Sequence, residues 1–185
     1  TEITGVDCFQ GGLNRFLIQG RRAPDKAIVA VGEDRHEEVV ELLVDFGVQN
    51  LLVEKPAGLD QESIKRTEAV CERENVKTYV AYNRRFYGSV RSLRSCLAED
   101  GGARSMHFDF TELSRKVKLL PTKEIIKYNQ FLRNSSHVVD LAFHLGGKPS
   151  QISCNVEGGL DWHSRGSVFS GSGATEDGVL FSYGA

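Results

Sequence analysis

AIVAV (27–31) is a short apolar run rich in β-branched residues and reads as a buried strand. NLLV (50–53) and KTYVAY (77–82) read the same way. Two segments of helical period separate them. In RHEEVVELLVDFG (35–47), Val39, Val40, Leu43 and Phe46 recur at helical spacing, Glu37, Glu38, Glu41 and Asp45 take the other face, and Gly47 supplies the stop. After the second run, Asp60 is a candidate N-cap for a helix over 61–74 with Ile64, Thr67 and Cys71 on its inner stripe. Continuous apolar strands alternating with amphipathic helices over short links predict a parallel sheet covered on both faces. Right-handed crossovers then set the three strands side by side.

The pattern changes after NRRF (83–86). A helix over 88–99 is expected to turn Val90, Leu93 and Leu97 inward and to stop at Gly101-Gly102. ARSMHFDFTEL (103–113) alternates, with Met106, Phe108 and Phe110 on one face and His107, Asp109 and Thr111 on the other, as in a half-buried strand. Residues 113–130 lack a period and read as a long loop with room for a short helical turn. NSSHVVDLAFHLGG (134–147) reads as a helix capped by Ser or Asn, with Val138, Leu141, Ala142 and Leu145 inward. The Gly/Ser-rich tail, 150–185, reads as further strands. The fold class is α/β to about residue 82, then α+β with a mixed or antiparallel sheet.

Composition excludes some partners. The formal charge of −2 over 185 residues gives no electrostatic footprint for nucleic acid or an anionic membrane. No apolar run approaches a membrane span. TEITGVDCFQGG has neither the basic start nor the apolar centre of a signal peptide. Cys8, Cys71, Cys96 and Cys154 lie at wide, irregular spacings with no CxxC, so no metal site is expected. They read as reduced, packed thiols of a cytoplasmic protein.

Open parallel sheets bind ligands beyond the carboxyl ends of their strands. Three such ends carry polar groups: GEDRH (32–36), EKP (54–56) and YNRRF (82–86). Each alone reads as solvated loop charge. At one sheet edge they would line a single polar cleft.

In their order and separation, AIVAVGEDRHEE, LLVEKPAGL, VAYNRRFY and NSSHVVDLAFHLGG resemble the glucose–fructose oxidoreductase and inositol dehydrogenase (Gfo/Idh/MocA-type) family. FTEL and LDWH resemble its sugar oxidoreductases from polysaccharide gene clusters. The resemblance implies a partial Rossmann-like dinucleotide domain over 1–82 and an α+β substrate and oligomerisation domain over 83–185. It implies hydride transfer between NAD or NADP and a hydroxyl or carbonyl carbon of a sugar or cyclitol. Carried over by position, Lys55 binds the reacting oxygen and His137 is the acid/base. Pro56 sets the angle of Lys55, Glu54 meets the nicotinamide ribose, and Asn83 and Arg84 line the cleft. His36 is left between two readings, a helix-terminal residue touching solvent or a neighbour of the cofactor.

Two departures from the family pattern stand out. Arg133 occupies the position of the acid in D-x-x-x-H, so Arg133 or Asn134 would orient the substrate. Asp140 shares a helical face with His137 and His144 and is placed to hold either imidazole. His137 is favoured over His144, which matches a packing position. His163, beside Trp162, is a candidate for the sugar site, and His107 reads as exposed. The second departure is the absence of G-x-G-x-x-G. GSGATEDG (171–178) and QGGLNRF (10–16) are read as turns. The chain is thus expected to be truncated at both ends relative to the family. The expectations are an NAD(P)-dependent sugar oxidoreductase, a non-catalytic binding or oligomerisation module, or half of a split enzyme. An exposed sheet edge favours a homo-oligomer, a dimer by base rate.

Overall fold

The computed structural model describes residues 9–20, 22–163 and 166–185. A short helix, α1 (Gly12–Leu17), precedes β1 (Lys26–Val29), α2 (His36–Asp45), β2 (Asn50–Val53), α3 (Gln61–Arg73) and β3 (Lys77–Val80). The three strands are parallel in the order β1-β2-β3, with Ala27 opposite Leu51 and Leu51 opposite Thr78. Val29, Leu51 and Val53 of the sheet pack on Val39, Val40, Leu43 and Cys71 of the helices in one buried cluster. Asp60 caps α3 as expected. Its carboxylate accepts from the Ser63 amide (2.8 Å), and the Ser63 hydroxyl accepts from the Asp60 amide (3.0 Å), which closes a capping box.

Contrary to expectation, the described residues cover the sheet on one face only. Ile28 and Tyr79, on the opposite face, are 73% and 64% exposed. The reason lies in the crossover rule itself. Strands joined consecutively by crossovers of one hand carry both connecting helices on the same side.

After α4 (Gly88–Glu99) come β4 (Ser105–Asp109), α5 (Ser114–Lys118), α6 (Glu124–Tyr128), a π-helical turn (Phe131–Ser135), α7 (Ser136–Gly146), β5 (Pro149–Glu157), β6 (Val168–Thr175) and β7 (Leu180–Gly184). The second sheet runs β4-β7-β6-β5 and is mixed: β4 and β7 are parallel, and the other two pairs are antiparallel. Its inner face is aromatic. Phe108 stacks on Tyr183 (5.5 Å) and meets Phe143 of α7 edge-on (5.7 Å), and Phe143 does the same with Phe181 (5.0 Å). Thus α7 lies on this sheet, and its first turn is carried toward the parallel sheet.

Four local expectations are corrected. GSGATEDG is not all turn: Gly171 and Gly173 lie inside β6, beneath the rings of Tyr183 and Phe181, and the turn is confined to 176–178. In QGGLNRF only the start is a turn, and α1 begins at Gly12. Residues 113–130 form α5 and α6, each too short to display a helical period. The helix over 134–147 has no side-chain cap, because the π-helical turn runs directly into α7. Asn134 and Ser135, the expected caps, instead donate to Glu112 (2.7 and 3.1 Å). On α4, Val90 is buried but Leu93 is 46% exposed. The packed-thiol reading holds for Cys71, whereas Cys96 and Cys154 are exposed free thiols, and Cys8 lies outside the described residues. Among the described residues, no helix is long and apolar enough to cross a membrane.

Candidate active site

The carboxyl ends of β1, β2 and β3 meet the π-helical turn and the start of α7. After β2, the Glu54 amide donates to the Val29 carbonyl (2.8 Å), and the Glu54 carboxylate accepts from the Lys55 amide (2.9 Å). Lys55–Pro56 is a cis peptide bond, and the buried Ala57 that follows has φ of 68°. A non-glycine residue held in the left-handed region costs on the order of 1–3 kcal/mol and is characteristic of functional loops.

The Lys55 ammonium donates to the backbone carbonyl of Arg133, in the π-helical turn. The Arg133 guanidinium pairs with Glu33, beyond β1, at 2.9 Å. Its Nη1 is buried and has no partner among the described residues. Arg133 therefore joins two strand ends, through its carbonyl to Lys55 and through its side chain to Glu33.

His137 sits in the first turn of α7 with its ring edge-on to Tyr82 (5.9 Å). Its Nδ1 is buried and has no hydrogen-bond partner among the described residues. Burial, then the charges of Lys55 and Arg84, hold its pKa below the ordinary imidazole value, while Glu54 and Asp140 pull the other way. Residues 54, 55, 84, 133 and 137 are therefore brought together from four elements, two of them strand ends and two of them the π-helical turn and α7. Asn83 opens the same 3₁₀ turn, Asn83–Phe86, that carries Arg84.

Other assignments change. Asp140 holds neither imidazole. It receives two hydrogen bonds from Arg85, one from Nε at 2.8 Å and one from Nη2. His144 lies instead beside Arg94, with Nε2 3.4 Å from Nη1. His36 does not touch solvent. It is fully buried with Nε2 3.2 Å from the Val31 carbonyl, and burial lowers its pKa. A residue at the start of a helix reads as exposed until the strand end folds over it. Asn134 is engaged with Glu112 rather than turned to the cleft. His107 is exposed, as expected, beside Ser182 and Asp109.

His163 belongs to a second place. It stacks on Tyr128 (5.0 Å) and lines a cavity of about 570 Å³ walled by Phe110, Phe131, Trp162 and Phe169. Gln130 also lines it, and its Oε1 is buried without a partner. Neither Lys55 nor His137 lines this cavity, whose wall includes Phe131, Leu132 and Ser135 of the π-helical turn.

Sequence reasoning missed Arg85, Tyr82 and Glu33. The NRRF motif flagged two adjacent arginines with nothing to tell which would reach α7, and Tyr82 read only as a strand end. Among the described residues, no cluster of three or more His, Cys, Asp or Glu is placed to hold a metal ion.

No family model matches the chain. Over 77 residues it is 39% identical to the myo-inositol dehydrogenase Hyg17 of Streptomyces leeuwenhoekii, a stretch that is 40% of this chain and 22% of that protein. The WlbA dehydrogenase of Bordetella pertussis, solved with NADH and UDP-GlcNAcA, matches 94% of this chain with 54% of its own at a TM-score of 0.75 and 16% identity. A levoglucosan dehydrogenase in complex with NADH and levoglucosan matches 87% of this chain with 47% of its own at a TM-score of 0.71 and 18% identity. At such identities the solved structures show a shared fold. The chain spans about half the length of the solved structures it matches. These matches agree with the family resemblance carried by the four motifs.

Proposed function

We propose that the chain carries the substrate-side machinery of an NAD(P)-dependent oxidoreductase that acts on a sugar or cyclitol hydroxyl. The observation that supports this reading best is the convergence of Lys55, from the end of β2, and His137, from the first turn of α7, on one cleft with Glu54 and Arg84. Two proteins of similar fold point the same way, since they are dehydrogenases solved with NADH and either UDP-GlcNAcA or levoglucosan.

Bound nicotinamide would supply the hydride acceptor. The described residues fit its ribose end, where the half-buried Glu54 carboxylate can accept hydroxyl hydrogen bonds. His137, neutral at pH 7 because burial and two cations disfavour its charge, takes the substrate hydroxyl proton. It does so at Nε2, since Nδ1 is enclosed. Lys55 leaves the Arg133 carbonyl to donate to the reacting oxygen and stabilises negative charge as it develops there. The aromatic cavity behind the π-helical turn holds a part of the substrate remote from the reacting carbon, stacked on Trp162 and Tyr128 beside His163.

Lys55→Met should remove turnover with NAD(P) and a sugar panel while far-UV circular dichroism stays unchanged. Retained turnover contradicts the assignment. A second reading is a binding or oligomerisation module, since residues 1–185 contain no G-x-G-x-x-G turn to cradle a pyrophosphate. NADH titration of the purified chain, followed by its fluorescence, separates the two. Saturable micromolar binding supports the first reading, and none up to millimolar NADH supports the second.

A further inference from the structure

Asp140 and His137 lie three residues apart on α7, a spacing that makes side chains neighbours on a helix surface. A carboxylate there would ordinarily take the imidazole N–H. Here it does not. Both Asp140 oxygens are occupied by Arg85, and the Asp140 side chain is only 9% exposed. His137 is left with Nδ1 buried and without a partner among the described residues.

Arg85 acts on a second neighbour of His137 as well. Its guanidinium lies 5.8 Å from the centroid of the Tyr82 ring, and Tyr82 meets the imidazole edge-on. The Tyr82 hydroxyl interacts with Ser136, the residue before His137. One side chain thus fixes both the ring and the carboxylate that border the histidine.

We infer that Arg85 is a positioning residue that holds the Asp140 carboxylate off His137, so that the imidazole faces the cleft without an anionic partner. This rests on the reading of His137 as the proton acceptor. The chemistry gives the arrangement a purpose. A base must be unprotonated before it can take a hydroxyl proton. An Asp140–His137 hydrogen bond would stabilise the imidazolium and enlarge the protonated share at neutral pH. The charged and titratable groups facing His137 are Lys55 and Glu54 after β2, Tyr82 and Arg84 after β3, and Asp140 on its own helix. Of these, Asp140 is the anion whose reach is set by another side chain, whereas the Glu54 carboxylate accepts from a backbone amide.

The test is an NMR titration of His137 in the full chain, with its ring resonance assigned through His137→Asn. In Arg85→Gln the freed carboxylate turns to Nδ1, and the His137 midpoint rises by roughly one pH unit or more. Adding Asp140→Asn to Arg85→Gln returns the midpoint to its original value or below. Arg85→Lys, which keeps the charge and can occupy one carboxylate oxygen, serves if Arg85→Gln does not fold, and it moves the midpoint upward by less. An unmoved midpoint in a folded Arg85 variant overturns the inference. So does a rise that persists in the double variant, because that would come from loss of the arginine charge alone. A merely structural role for Arg85 would change unfolding midpoints and leave the titration in place. The readout is independent of turnover: if the titration moves while His137→Asn remains active, the proposed acid/base role fails and the positioning role stands.

Discussion

Gly173→Ala tests whether GSG belongs to a strand or to a turn. An added Cβ at Gly173 would overlap the Gln151 carbonyl oxygen of β5 and lie 2.7 Å from Cζ of Phe181. Phe181 is 3% exposed and packs edge-on against Phe143 of α7, so it has little room to retreat. Overpacking of a core costs about 1–3 kcal/mol, and full loss of a buried Phe about 3–5. Replacing a strand glycine by alanine returns about 0.5–1 kcal/mol of backbone entropy. Because Phe181 has nowhere to retreat, its displacement sets the scale, and the net expectation is a loss of about 2–4 kcal/mol. Urea unfolding followed by far-UV circular dichroism measures it. Two other glycines calibrate the result. Gly178, in the turn, has φ of 78° and open space around it, so Gly178→Ala should cost only the backbone strain, about 1–2 kcal/mol. Gly159 has open space and an ordinary φ, so Gly159→Ala should be neutral within about 0.5 kcal/mol. A Gly173→Ala protein as stable as wild type would refute the placement of GSG inside β6.

His36, whose folded-state pKa is lowered by burial, makes stability depend on pH. The unfolded chain binds the proton first as pH falls. Stability is therefore intact above about pH 6.5 and is lost below it, with a slope for this residue of up to about 1.4 kcal/mol per pH unit. His137 and His144 are shifted in the same direction, so the readout is the difference between wild type and His36→Asn. Parallel curves from pH 7 to 5 would argue against a buried, neutral His36. Asp60→Ala removes the capping box of α3 and should cost about 1 kcal/mol in the same unfolding assay, with Asp60→Ser recovering most of it. The proposed self-association gains a candidate surface in the bare face of the parallel sheet around Ile28 and Tyr79. Sedimentation velocity should show mass rising with concentration, and a monomer at every concentration speaks against it.

Local signals carried much of this architecture. The two amphipathic segments and the Asp60 cap placed α2 and α3, because a helix buries one stripe and that stripe is written in the residue spacing. The alternation of Met106, Phe108 and Phe110 placed β4 for the same reason at period two. Short irregular elements did not show. Five-residue helices such as α5 and α6 span too few turns for a period, and a π-helical turn has no composition of its own. The glycines of GSG read as a turn because their reason, the rings of Tyr183 and Phe181, comes from the next strand along the chain, β7.

The candidate site divides along the same line. Residue types at the ends of consecutive parallel strands are determined by the sequence alone, since the sheet delivers every such end to one edge. That sufficed to gather Glu54, Lys55 and Arg84. Which side chain each of them meets is decided by the packing of a second sheet and its helix against that edge. Only there does Arg85 take Asp140, Arg133 offer its carbonyl to Lys55, and His137 lose a partner for Nδ1. Hydrogen bonds between residues 55 and 78 positions apart follow from tertiary geometry, which no local pattern encodes.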